Sequence, residues 1–475
     1  MTRVLTTQAL VIGSGAGGAV TAALLAEAGH EVLVVEEGPW YAPDEHEPFS
    51  LEEFIARYRH QGACAALGNP GIAFAEGRCV GGSTEINSGL YHRLPEHLAA
   101  DWRVRYRIND FDDATLSHYA DEIERSVTVS RLPGDPPPSS AALGRGAFHL
   151  GWRSVEFARV FAYDAAGRGT KQSMSRTMIP RALAAGAAVL ADCRILKLTR
   201  AGNRVTGAHG EITHPDGGTE RVFIRAEDVF VCAGAIHSPA LLQRSGFRRN
   251  IGTGLKFHPT VKIAARFPDP VDHDEVPMHR VTEFSPFLTI GGSASRRGQV
   301  AMAIADAAPE ALEVAMKEWE DVFVYYAAIR STGSGRVRAL PGLAAPLVTY
   351  SLTEGDMSRL ARGLLHLGHV LLAAGATELF PSITAGTVVR HPGDLAVWWD
   401  ELTRARANLM TVHLTSTIRM GEDDDQTGSD SYGVVWGTEN LHVNDGSLLP
   451  DAPGVNPQAA IMAIAARNAA HHLAH

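Results

Sequence analysis

Cysteine is scarce in this chain: Cys64, Cys79, Cys193 and Cys232 are all it has, and no two stand as C-x-x-C. Neither a disulfide framework nor a zinc site is expected, and a reducing compartment is the simpler setting. A basic excess is missing as well. With 43 Lys and Arg against 53 Asp and Glu, the formal charge is −10. No clustered cations are at hand to neutralise phosphates, which excludes a nucleic-acid partner; the same balance permits a cationic substrate. Long apolar runs are also lacking. The longest, 364–376, is broken by His366 and His369 and is too short to cross a bilayer, so no transmembrane segment is expected. Those two histidines lie one helical turn apart, but no carboxylate or cysteine supports them at a metal-binding spacing. A solvated helix face is the simpler reading, and no metal is expected. No secretory signal fits before the first strand, which begins near Ala9. These absences predict a cytoplasmic protein.

With 475 residues the chain has room for two or more domains. At its start, QALVI (8–12) reads as a short buried strand ending at Gly13. Residues 16–28 read as an Ala- and Leu-rich helix with Gly29 at its C-terminal end, and HEVLVV (30–35) as a second strand. Such a βαβ unit predicts a parallel sheet. Gly13, Gly15 and Gly18 form G-x-G-x-x-G between strand and helix. The first glycine permits the tight turn, and the second lets the backbone approach a pyrophosphate. The third lets helix and strand pack closely, with the helix N-terminus turned to the negative charge. Glu36 closes the next strand 23 residues after Gly13, where a carboxylate accepts from ribose hydroxyls and disfavours a 2′-phosphate. FAD and NAD share this fingerprint, so by itself it leaves both open. No second strand–GxGxxG–helix is found, which argues against a nicotinamide-driven reductase or monooxygenase.

Further on, GRCVGGS (77–83) is a glycine-rich turn, and PGDPPPSS (133–140) is a proline-rich surface loop. Short β-rich runs fill 186–232, and VKIAARF, VFVYYAAI and PLVTYSLT are candidate strands between about 260 and 400. A long helix is predicted over about 356–374. Near the end, NLHVND reads as a strand and 457–473 as a helix, with His471, His472 and His475 as a frayed terminus. Trp398 and Trp399 are expected in packing, and the acidic run 422–425 in a solvated loop.

Four segments, in order, resemble the glucose–methanol–choline (GMC) oxidoreductase family: VIGSGAGGAVTAALLAEAG with VLVVEEGP, GRCVGGSTEINSGLYHR, VFVCAGAIHSPALLQRSG (229–246), and HLTSTIRMG (413–421) continuing into NLHVNDGSLLPDAPGVNPQAAIMAIAARNAA. The resemblance implies FAD. It also implies an α/β fold in which a Rossmann-type FAD-binding domain, discontinuous over 1–100, 181–262 and 405–475, carries an inserted α+β substrate-binding domain on an antiparallel sheet, 101–180 and 263–404. Carried over by position, Gly13, Gly15, Gly18 and Glu36 would hold the ADP half. Gly81, Gly82, Ser83 and Asn87 would lie against pyrophosphate and flavin, and Ile195 would meet the adenine through its backbone. Asp445 and Gly446 would approach the ribityl region, and Asn456 and Pro457 the pyrimidine edge. Members with covalent flavin often place a histidine where this chain has Ile86, so the flavin is expected to be non-covalent; His92 is near but out of register.

Taking a hydride from a carbinol carbon requires a base beside the oxygen and an electron sink facing the carbon. A neutral imidazole serves as base near neutral pH, and His413, opening HLTSTIRMG, resembles the family's catalytic histidine. Asn456 is the second site member by the same resemblance. The plain structural alternative makes it a helix N-cap before Pro457. His258, in GLKFHP, resembles a segment at a domain junction and is assigned a structural role. Small-molecule alcohol oxidation to a carbonyl is thus expected, on a sugar-like or secondary-metabolite alcohol, with oxygen or another acceptor reoxidising the flavin. The alternative is an FAD-containing lyase of the hydroxynitrile type, without net redox change.

Overall fold

A computed structural model describes residues 2–268 and 279–475. Its first strand is Arg3–Ile12, several residues longer at the front than the apolar run QALVI suggests. The reason is pairing: Arg3 to Thr7 run parallel to Val222 to Ala226 of the long strand Thr219–Val231. Those front residues are mostly exposed and carry no hydrophobic signal. The sheet has the order Ala188–Leu190, Val32–Val35, Arg3–Ile12, Thr219–Val231, Arg204–Thr213, Cys193–Ala201, with Leu441–Val443 added beside Thr219–Val231. Pairings around the first strand are parallel, as expected, and the last two strands in that order join antiparallel. Helix Ala16–Glu27 lies on this sheet and against the last helix, Gln458–Ala474. Alanines make the close approach: Ala19, Ala22, Ala23 and Ala26 share a buried cluster with Ala459, Ala465 and Ala466.

The second sheet has nine strands. Their order is Cys64–Ala66, Ile72–Phe74, Leu409–Thr411, Thr260–Arg266, Val322–Ile329, Leu288–Gly292, His279–Val281, Ser154–Glu156, with Glu378–Pro381 beside Thr260–Arg266. All pairings are antiparallel except that of Leu409–Thr411 with Ile72–Phe74. Alternation sets its two faces. Val261, Ile263, Ala265, Tyr325, Ala327 and Ile329 join the core under helix Glu354–Ala373. That helix begins slightly before the predicted 356 because Thr353 caps it and Asp356 bonds back in a capping box. On the other face lie Thr260, Lys262, Tyr326, Ala328, Thr289, Gly291 and Arg280, of which Tyr326, Ala328, Thr289 and Arg280 line a cleft.

The C-terminal histidines are a correction. The last helix runs to Ala474; His471 stacks on Tyr432 with ring centroids 3.4 Å apart, and His472 meets Phe230 and His442 edge-on. His366 is not simply solvated either, since its ring stacks on Phe284 at 4.1 Å. Trp398 is fully buried, whereas Trp399 is 45% exposed.

Candidate active site

The first glycine turn is held from both sides. Gly13 has φ +104°, and a Cβ there would stand 2.4 Å from the Cys232 carbonyl oxygen; at Gly18 it would stand 1.9 Å from that of Gly13. Both positions therefore demand glycine for packing. Gly15 differs: nothing lies within 4 Å of a Cβ placed there, and as N-cap of Ala16–Glu27 it leaves the helix start without any side-chain cap. Orphan N–H groups facing open space suit a pyrophosphate. Glu36 ends its strand beside this turn. Its carboxylate accepts from Ser14 N at 3.1 Å, Ser14 Oγ at 2.7 Å and Gly38 N at 2.9 Å. Oε1 keeps a lone pair for a ribose hydroxyl. Burial pushes the Glu36 carboxyl up from its ordinary value, and these hydrogen bonds oppose the shift.

Ser14 was missed by sequence reasoning, as it is only an x of the fingerprint. Its Oγ also accepts from Gly81 N at 3.0 Å, tying the two glycine segments together. Gly82, with φ +57°, packs so closely that a Cβ would stand 2.9 Å from Gly15 Cα. Ser83 Oγ accepts from Gly77 N at 3.0 Å, which closes its own loop. Asn87 donates to Gln458 Oε1 at 2.7 Å and accepts from Gly89 N, so it is bound to the start of the last helix. Asp445 is occupied too, accepting from Gly234 N, Ser238 Oγ and Ser447 N. It braces the start of helix Gly234–Arg244, and Gly446 follows in the same buried turn. The Ile195 side chain is buried and its backbone pairs with Gly210 beside a bulge. The open space beside Gly15, the uncapped helix start and the Glu36 carboxylate are compatible with a bound dinucleotide. Among the described residues, Asp423, Asp424 and Asp425 are the carboxylates near enough to share a metal ion, and Arg249 already pairs with two of them.

The second assembly centres on His413. The Asn456 amide nitrogen lies 3.2 Å from His413 Nε2, across 43 residues of chain. Asn456 does not cap the last helix: the N-cap is Pro457, with no side-chain hydrogen bond. That helix start, too, is left open beside the cleft. His258, expected to be structural, stands in the centre: its Nδ1 is 2.9 Å from His413 Nδ1, with the rings perpendicular. His92, set aside as out of register, packs edge-on against Phe157 at 4.2 Å and interacts with the Asn456 side chain. His413, His258 and Asn456 line a cleft together with Arg280, Tyr326, Thr289 and Arg330. Burial lowers His413 to about 4; burial, with Arg280, lowers His92 to about 3. Both rings are neutral at pH 7.

Proton placement follows from one backbone group. Gly454 N–H donates to His258 Nε2 at 2.9 Å, so a neutral His258 holds its proton on Nδ1 and donates it to His413 Nδ1. A neutral His413 then carries its own proton on Nε2, which the Asn456 amide meets with its oxygen once the carboxamide is turned over. In the opposite order, His413 donates from Nδ1 and keeps a lone pair at Nε2, while the Gly454 hydrogen bond is lost.

An uncapped helix start beside a strand-end acid, and two imidazoles with a carboxamide in a cleft between sheets, define an oxidoreductase built around a dinucleotide cofactor. The chain belongs to the GMC oxidoreductase family, a family of FAD-binding flavoproteins: models of its N- and C-terminal parts match residues 8–260 and 331–465. An uncharacterized GMC-type oxidoreductase of Sinorhizobium fredii is 40% identical, over 99% of this chain and 95% of that protein. A long-chain-alcohol oxidase of Arabidopsis thaliana is 25% identical, over 96% of this chain and 65% of its own length. The crystal structure of pyridoxine 4-oxidase from Mesorbium loti superposes with TM-score 0.75 at 20% identity, covering 99% of both chains. Among the described residues, no helix is long and apolar enough to cross a membrane.

Proposed function

We propose that this oxidoreductase converts an alcohol carbon to a carbonyl, with His413 taking the hydroxyl proton and Asn456 positioning the oxygen. The observation that carries the reading is the meeting of His413 and Asn456 at 3.2 Å in one cleft, beside the open start of Gln458–Ala474. The flavin of FAD, when bound, supplies the two-electron sink. Gly13, Gly15, Gly18, Glu36 and Ile195 would hold its ADP half, with Gly81, Gly82, Ser83 and Asn87 against pyrophosphate and ring. Asp445, Gly446, Asn456 and Pro457 would face the ribityl chain and pyrimidine edge. Ile86 offers no atom for a covalent link, so the cofactor is held non-covalently.

His413 accepts the proton at Nε2 only in the order that puts its own proton on Nδ1, toward His258. Reaching that order sacrifices the Gly454 hydrogen bond, about 1–3 kcal/mol for a donor left facing an N–H. His258 is therefore a positioning residue, because the proton shared between the rings decides whether Nε2 accepts or donates. The start of the last helix favours negative charge on the ring edge it faces. The long-chain-alcohol oxidase among the relatives supports an alcohol substrate. The cofactor part is proposed at 1–100, 181–262 and 405–475, less 64–66, 72–74 and 409–411, which join the nine-stranded sheet, and a cytoplasmic setting completes the proposal.

The test is anaerobic. Purified yellow protein mixed with a panel of alcohols should lose its absorbance near 450 nm as carbonyl product forms, and air or an artificial acceptor should restore it. Product without bleaching would return the reading to the lyase.

A further inference from the structure

One row of side chains crosses the cleft face of the nine-stranded sheet. Lys262 is opposite Tyr326, Tyr326 opposite Gly291, and Gly291 opposite Arg280. Directly opposed residues in antiparallel pairs point the same way. Gly291 leaves a gap in this row, and a Cβ there would stand 2.8 Å from the Tyr326 hydroxyl, so the phenol lies over the gap between the two cations. The Arg280 guanidinium rests 5.3 Å from the centre of the Phe157 ring, which packs in turn on His92. Arg280 and Tyr326 line the same cleft as His413, His258 and Asn456.

The row lacks acids. Among the described residues, Arg280 Nε is buried without a hydrogen-bond partner, the titratable groups that interact with Arg280 are the Tyr326 phenol and the neutral His92 ring, and none acts on Lys262. Burial alone draws the Lys262 ammonium down to about 8 and holds Arg280 below its ordinary value. The other basic groups nearby are different. Arg330 is 3.2 Å from Asp451 and donates to the Ala452 carbonyl, and Lys256 is 3.8 Å from the same carboxylate. A partly desolvated guanidinium with a buried, unpaired Nε and no carboxylate beside it costs stability, and a ligand oxyanion in its planar fork would restore the balance.

We propose that Arg280, backed by Tyr326 and Lys262, receives an anionic group (carboxylate or phosphate monoester) at the end of the alcohol substrate away from the reacting hydroxyl. This narrows the alcohol reading and rests on it. The net charge of −10 permits a cationic substrate, but the cleft cation Arg280 favours an anionic one.

The test uses the FAD-loaded protein and two alcohols of one shape, 4-(hydroxymethyl)benzoate and 4-(hydroxymethyl)benzamide. Wild-type kcat/KM should favour the carboxylate on the order of 10- to 100-fold, the worth of a charge-assisted contact. Arg280→Gln should erase that ratio through KM, and Arg280→Lys should keep part of it. Equal turnover of the two alcohols by wild type overturns the proposal. So does a fall in kcat for both alcohols alike in Arg280→Gln, because the guanidinium would then serve the reacting oxygen. Binding without turnover provides a second arm: benzoate and phenyl phosphate, titrated against wild-type flavin absorbance, should perturb it where benzamide does not. The tighter of the two names the anion. If no alcohol bleaches the flavin while benzoate or phenyl phosphate still binds through Arg280, the reaction assignment has failed and the anion site stands. If neither anion binds, the site itself is refuted.

Discussion

His258 Nδ1 and His413 Nδ1 lie 2.9 Å apart, and the Gly454 N–H on the far side of His258 sets which of them holds the proton. Removing His258 should therefore disturb the reaction without emptying the site. His258→Ala is expected to lower kcat on the order of 10- to 100-fold, with KM moving less, and His258→Gln, which still hydrogen-bonds, should lose less. A purely structural role predicts instead a lower melting temperature at unchanged kcat per bound flavin.

His413 itself is placed in contact with substrate. His413→Ala should stay yellow and folded while kcat/KM falls on the order of 10²- to 10⁴-fold; normal turnover would remove the base assignment. Because burial holds this ring near 4, its neutral form persists well below the usual histidine range. The wild-type acid limb of kcat/KM should accordingly lie below pH 5, and a limb near 6.5 would contradict the burial argument.

Acid stability gives an independent check. His92, His258, His413 and His442 all have folded pKa values pressed below the ordinary histidine value, chiefly by burial, with His92 and His442 at about 3. Below about pH 6.5 the unfolded chain binds protons that the folded chain refuses, so stability falls with pH until the folded values are reached. Each ring should cost up to ~2 kcal/mol by pH 5. Urea midpoints at pH 7.5 and 5.0 measure the sum. His442→Phe, which keeps the stack on Phe230, should reduce the slope by about one proton; an unaltered slope counts against the assignment.

Two glycines of the fingerprint should separate by what their substitution harms. Gly15 has an ordinary φ of −69° and open space around it, so Gly15→Ala should leave the cofactor-free protein within about 0.5 kcal/mol of wild type while weakening FAD about 10-fold or more. Gly18→Ala meets the Gly13 oxygen at 1.9 Å and should destabilise the fold itself. Thermal melts with and without added FAD distinguish the two, and equal damage from both would deny Gly15 its place beside a ligand.

The parts legible in the sequence were those written locally. The glycine turn and the last helix announce themselves within a dozen residues through spacing, whereas the Thr353 cap starts the long helix ahead of the 356 that the pattern predicts. The roles of His258 and His92 were hidden because their meaning lies in partners far along the chain. His258 reaches His413 across 155 residues, and nothing around GLKFHP differs from a packing motif. Ser14 occupied a position the fingerprint treats as free, and its reach to Gly81 emerges only when two loops touch. The terminal histidines looked frayed because Tyr432 and Phe230, which they stack upon, are distant in sequence. Arg280 was invisible as a cleft cation for a related reason: register across four strands put it in line with Tyr326 and Lys262.

The alanine seam between Ala16–Glu27 and Gln458–Ala474 couples the two halves of the site. Asn444 bonds to both Thr21 and the Ala465 carbonyl, so the helix that opens the nucleotide turn is fastened to the one that starts beside Asn456, and a side chain bulkier than alanine anywhere along their contact should strain both at once.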